Sequence, residues 1–192
     1  MMRFLVVCLL VFCSMPAFAS ITEYVVKQWN IQNGLPSQSL KSIAQDEQGY
    51  MWLGTQFGLS RFDGNTFTNF NTQNSDFLPS NGINKLLVDS TGLLWVGTKN
   101  GLVTLDPKTM MSQTFNVKGP VRDILEDSKG SIWIAANGLY YVARNQVTLN
   151  QNSALIVPVS NATAITQIVG SVSQMALSPE GIWLVNERHL LR

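Results

Sequence analysis

The sequence predicts an all-β protein assembled from four-stranded antiparallel units, and three observations carry that expectation. One stretch is written four times: DEQGYMWLGTQFG at 46–58, DSTGLLWVGTKNG at 89–101, DSKGSIWIAANG at 127–138, and a worn SPEGIWLVNER at 178–188. Each copy alternates short apolar runs with turns that carry Gly, and in three copies Asp, the pattern of strands joined by tight hairpins. The repeated tryptophans Trp52, Trp95, Trp133 and Trp183 follow one another at 43, 38 and 50 residues. Repeats near forty residues, with four strands apiece, predict the blades of a β-propeller.

The chain opens on an expected export segment over residues 1–19. Arg3 supplies a positive start, an apolar run follows from Phe4 to Cys13, and Ala17-Phe18-Ala19 is a small-residue cleavage signal before Ser20. That run is too short for a lasting membrane span. Cys8 and Cys13 leave with it, so the mature chain is expected to form no disulfide or thiolate metal site. Arg3 is the single charge in the segment, so twelve basic side chains remain against twelve acidic ones. Such balance excludes the charge footprint of a nucleic-acid or anionic-lipid binder.

Residues 21–31 are rich in β-branched and aromatic side chains and read as a strand, broken by Asn33-Gly34-Leu35-Pro36. This segment, expected over 20–32, lines up with the end of a blade and is an orphan outer strand. Blade one is expected over 38–71, blade two over 82–117, blade three over 120–160, and a partial blade four over 171–192. First strands are expected at 40–44, 83–88, 121–125 and 172–177, and second strands around each Trp. Between them lies Asp-x-x-Gly, with Asp46 and Gly49, Asp89 and Gly92, Asp127 and Gly130, and only Gly181 in the fourth copy. Asp at the start of such a turn accepts backbone N–H bonds, and Gly takes the left-handed position. A second turn ends at Gly58, Gly101 and Gly138.

A blade must cover its flat face with the next blade's face. Trp at one repeated site fills that gap, and Gly54 and Gly97 in Trp-x-Gly admit a close neighbour, with Ala135 in the third copy. The ends leave two arrangements open: the orphan strand completes blade four in a closed four-bladed ring, or the chain is the N-terminal portion of a larger propeller. The second is the expectation adopted.

Catalytic material is sparse. The single histidine, His189, leaves nothing for a His-based triad or metal site, and no catalytic residue, metal ligand or cofactor is expected. Residues at the start of each first strand differ between copies, and variable polar positions at a propeller mouth serve recognition. The candidate ligand-binding residues are Lys41, Asn84, Lys85, Arg122 and Gln174. Lys41, Lys85 and Arg122 suit an anionic ligand such as an acidic saccharide.

GLPS at 34–37, then DEQGYMWLGTQFGLSRFDG, resembles the two-component regulator propeller repeat, and DSTGLLWVGTKNGLVTLD resembles it equally. DSKGSIWIAANGLYYV is similar with Ala135 for Gly, and blade four departs most. The resemblance implies a periplasmic sensor whose later parts include a membrane helix and a cytoplasmic histidine kinase or diguanylate cyclase, and leaves room for a dimer of the intact protein. On that basis the expected function is a non-enzymatic ligand-sensing input module. A secreted lyase-like propeller enzyme and a pure interaction scaffold are the alternatives.

Overall fold

The structure, a computed structural model, describes residues 25–115, 117–144, 163–164, 171–179, 181–186 and 190–191. The export segment, most of the 151–170 stretch and His189 lie outside the described residues. Fifteen strands in four separate antiparallel sheets make up the described fold. Blade one is β1 (Leu40–Gln45), β2 (Met51–Thr55), β3 (Gly58–Phe62) and β4 (Phe67–Phe70), hydrogen-bonded in chain order. Blade two is β5 (Ile83–Val88), β6 (Leu94–Thr98), β7 (Gly101–Leu105) and β8 (Ser112–Phe115). Blade three is β9 (Asp123–Glu126), β10 (Ile132–Ala135), β11 (Leu139–Val142) and β12 (Thr163–Ala164). Blade four has three strands, β13 (Val172–Ser178), β14 (Gly181–Asn186) and β15 (Leu190–Leu191). Among the described residues the four sheets do not close into a ring.

Two expectations need correction. Residues 25–30 of the expected orphan strand form no strand; they run into a 3₁₀ turn at Ile31–Asn33. The cause is local. Asn30 accepts from the Gln32 N–H at 2.8 Å, and Asn33 accepts from the Asn30 N–H at 2.9 Å. Gly34 then ends the turn at φ 99°. Trp29 sets its ring edge-on to Phe62, 4.9 Å between centroids, and Leu35 is buried against Leu53 and Phe62. The second correction concerns blade three, whose outer strand is Thr163–Ala164, beyond the expected limit at residue 160.

Each Asp-x-x-Gly turn is a clamp with two jaws. One carboxylate oxygen of Asp46 accepts from the N–H groups of Gln48 and Tyr50 at 2.9 and 3.0 Å. The other accepts from the indole Nε1–H of Trp52 at 2.8 Å. Asp89 repeats the set on Thr91, Leu93 and Trp95, the indole at 2.7 Å. Asp127 repeats it on Lys129, Ser131 and Trp133, the indole at 2.9 Å. In blade four the Trp183 indole donates to the Ser178 hydroxyl at 3.2 Å, so the indole bond survives the loss of the acid. Gly49, Gly92 and Gly130 hold φ of 88°, 84° and 74°, where a Cβ is strained.

The clamp aims each indole at the following blade. Trp52 is fully buried among Ile83, Leu86 and Leu94 of blade two, and Trp95 among Val121, Ile124 and Ile132 of blade three. Trp133 packs, partly buried, against Val172, Met175 and Leu184 of blade four. A buried indole removes roughly 150–250 Å² from water, about 4–6 kcal/mol as an upper bound at ~25 cal/mol per Å². Outer-strand rings finish two seams: Phe70 stacks on Trp52 at 5.9 Å and Phe115 on Trp95 at 5.3 Å. The glycines two residues after Trp let the next blade in. A Cβ on Gly54 would lie 2.7 Å from Ile83 Cγ2, and one on Gly97 would lie 2.6 Å from Val121 Cγ1.

The third copy departs at its second turn. The Thr55 and Thr98 hydroxyls each donate to the carbonyl of Gly58 or Gly101 at 2.9 Å and accept a turn N–H at 3.0 Å. Ala136 has no hydroxyl, its N–H donates to the Gly138 carbonyl instead, and Gly138 avoids positive φ.

Gly97→Ala is therefore expected to lower stability by about 1–3 kcal/mol, through a methyl with no room. Gly138→Ala, whose Cβ meets nothing nearer than 3.8 Å, should stay within about 0.5 kcal/mol. Denaturant midpoints of the full chain compare the two, and equal midpoints would refute the close approach. Acid tests the clamp. Burial pushes the Asp127 carboxyl up, but bonds from the Trp133 indole and the Ser131 and Lys129 N–H groups outweigh it, so it ionises below its ordinary 3.8. A folded value below the unfolded one means stability present above about pH 4 and lost as pH falls through the folded value. A denaturation series below pH 5 should show a shallower pH dependence in Asp127→Asn than in the parent chain.

Candidate ligand-binding site

The first strands bring their variable residues to one end of the seams, and the structure sorts the five candidates. Asn84, from β5, sits beside Arg122, which immediately precedes β9. Together with Lys99 and Pro120 they line an open cleft of about 560 Å³ across the seam between blades two and three. The Asn84 side-chain amide donates to the Val121 carbonyl at 3.0 Å, and Arg122 Nη1 donates to the Ala136 carbonyl at 3.1 Å. Both side chains are thus held at the wall, with donor capacity left over: an amide keeps a second N–H and a guanidinium keeps four. Lys99 lays its methylene stem over Gly82, where a Cβ would sit 2.6 Å from its Cδ. The cleft residues comprise two cations and one amide and include no carboxylate.

Lys85 belongs elsewhere. Its ammonium pairs with Asp123 at 2.8 Å, so it spans the seam between blades two and three. The second Asp123 oxygen accepts from the Met175 N–H at 2.9 Å, across the seam to blade four. The corresponding residue of blade one, Ser42, accepts from the Leu86 N–H at 2.9 Å. This strand position is occupied by seam bonds. Lys41 is exposed on β1 and Gln174 exposed on β13, and neither lines the cleft.

Lys99 is the residue the sequence reading missed. It follows Thr98 in the second turn, where the other copies hold Gln56 and Asn137. That position varies as the strand starts do, and the turn lies beside the strand starts because Lys99 N–H donates to the Gly82 carbonyl at 2.8 Å.

The family profile described as two component regulator propeller matches residues 34–57, 78–100 and 117–138. These three stretches are similar to the two component regulator propeller repeat. The chain is 36% identical over 58 residues to a protein named Histidine kinase P4 from Formosa agariphila, covering 30% of this chain and 4% of that one. Among solved structures, the extracellular domain of a B. thetaiotaomicron protein described as a hybrid two component system aligns with TM-score 0.65 and 19% identity. That match covers 84% of this chain and 24% of the other, so the propeller repeats span about a quarter of its length. A virginiamycin B lyase from Staphylococcus aureus shares the fold with TM-score 0.54 and 14% identity, over 77% of this chain and 48% of its own.

Removing the Asp123 carboxylate strands Lys85 and leaves a buried N–H of Met175 without its acceptor. Asp123→Ala is expected to cost about 3 kcal/mol, and Lys85→Met about 1 kcal/mol or less because the lysine is part-exposed. Thermal or denaturant unfolding of the two variants checks this order, and the reverse order would show the ammonium, not the acid, to be the seam's anchor.

Proposed function

We propose that this chain is an extracytoplasmic ligand-sensing module, the non-enzymatic input portion of a membrane signalling protein of the two-component or cyclic-di-GMP type. The observation that carries the reading is the cleft at Asn84, Lys99, Pro120 and Arg122. Invariant repeat residues are consumed by seams, while these variable ones stay at the mouth with hydrogen-bond donors to spare. The expected apolar start with its small-residue cleavage signal supports location outside the cytoplasm, as does likeness to a protein described as an extracellular domain.

The chemistry of the cleft selects an anion. A guanidinium donates two parallel N–H bonds to a carboxylate, an ammonium adds a point charge, and Asn84 adds an amide donor for a hydroxyl or ring oxygen. An acidic saccharide offers carboxylates flanked by hydroxyls, which matches that set. Because the lining comes from two blades, a bound anion draws them together, and its binding energy acts on the blade-two to blade-three seam.

Calorimetry with an oligogalacturonate as probe tests the reading. The parent chain should bind it more tightly than a neutral oligosaccharide of equal length, and more weakly as salt rises. Lys99→Ala with Arg122→Ala should weaken binding at least about tenfold, equivalent to ~1.4 kcal/mol. Equal affinity for the neutral sugar, or an unaffected double variant, would remove the anionic site.

A further inference from the structure

Each first strand carries one extra residue at the mouth. The pairing of β1 with β2 slips between Leu40 and Ser42, that of β5 with β6 between Ile83 and Lys85, and that of β13 with β14 between Val172 and Gln174. In blade three the Arg122 N–H donates at 2.8 Å to the carbonyl of Ala135, the residue that Asp123 faces. The extra residues are therefore Lys41, Asn84, Arg122 and Ser173. Such a bulge sets two residues against one on the partner strand and re-aims a side chain. Here it divides labour between neighbours. The residue after the bulge crosses to the next blade, as Ser42, Lys85 and Asp123 do. The extra residue stays at the mouth, and two of the four, Asn84 and Arg122, line the cleft.

We infer that the cleft is one end of a longer groove, whose second subsite is built on blade one by Lys41, Gln56 and Phe57 and takes a further acidic sugar of the same oligosaccharide chain. This rests on the anionic-ligand reading of the cleft and extends it by one blade. Lys41 holds in blade one the place that Asn84 holds in blade two. Gln56 holds the place of Lys99, because Thr55 and Thr98 fix their turns with the same pair of hydroxyl bonds. The pairing of Leu40 with Thr55 sets the blade-one turn beside the Lys41 bulge. Asn84 has a four-stranded blade in front of it and still opens onto the cleft, so the mouth position stays accessible where blades are stacked.

The side chains at these places suit a sugar acid. Lys41 is exposed and offers an ammonium to a carboxylate, and Gln56 offers an amide to hydroxyls. Phe57 is 59% exposed, and among the described residues it joins none of the apolar clusters that hold the blades together. Blade two carries Asn100 at that place, so the turn itself does not require a ring. An aromatic face set in water is a platform for the C–H face of a pyranose. Blade four gives the groove its direction. Ser173 carries no charge and spends its hydroxyl proton on the Val185 carbonyl at 2.9 Å, so the groove runs from Arg122 past Asn84 towards Lys41. Facing sheets stack up to about 10 Å apart. Arg122 and Lys41 are two such steps apart, beyond the reach of one sugar ring and within that of a short chain.

Calorimetry on the full chain with galacturonate oligomers of two lengths is the test. Hexagalacturonate should bind more tightly than digalacturonate. Lys41→Ala and Phe57→Ala alter exposed side chains outside the seams, so both variants fold. Each should weaken the hexamer about three- to fivefold and leave the dimer unchanged, as befits exposed contacts met only by the longer chain. Silence of either variant towards the hexamer, an equal loss at both lengths, or a hexamer that binds the parent chain no better than the dimer overturns the second subsite. In those cases the cleft reading stands, because the parent chain still binds the dimer. A parent chain that binds neither length overturns the cleft reading and the extension with it.

Discussion

The bond from an Asp carboxylate to an indole N–H six residues on is the constraint on which this architecture rests. A large aromatic can fill the gap between two blades only if it points away from its own sheet in one orientation. The acid fixes that orientation while its other oxygen closes the turn that reverses the chain. Turn geometry and blade packing are therefore set by one side chain. Local and long-range preferences agree at that point, as they do in sequences that specify a single fold. The Trp183–Ser178 bond shows what matters: an acceptor at the turn's start, charged or not.

Much of this was legible because it repeats. The turn glycines, the strand order and the role of Gly54 and Gly97 all follow from a pattern written several times, where coincidence is filtered out by recurrence. The indole bond leaves a trace as a fixed Asp-to-Trp spacing of six, but turn chemistry alone already accounts for an acid at that position. What failed was what occurs once. Residues 21–31 have strand composition, yet a strand needs an edge to pair with, and Asn30 and Asn33 close a local turn instead. Lys85 looked like a surface cation because nothing in its own repeat shows that Asp123 faces it from the next blade. Lys99 was overlooked because the mouth draws on second turns as well as strand starts, and only the folded chain puts Gly82 beside Lys99.

Division of labour between repeated and variable positions explains the cleft. Seams consume the apolar and turn residues, and they also consume one polar residue per first strand: Ser42, Lys85 and Asp123 all reach into the neighbouring blade. The polar groups that remain at the mouth are those just outside this line, at Asn84, Lys99 and Arg122. In the proposed reading, recognition falls to this margin because the seams occupy the polar groups inside it.

Asp123 occupies an unusual position in this scheme. It is the one described side chain that reaches both ways, receiving Lys85 from blade two and the Met175 N–H from blade four. Its covalent neighbour, Arg122, lines the cleft. Any guest that tugs on Arg122 pulls on a rivet shared by two joints. Two joints therefore share one fastening, and a displacement of Asp123 touches both.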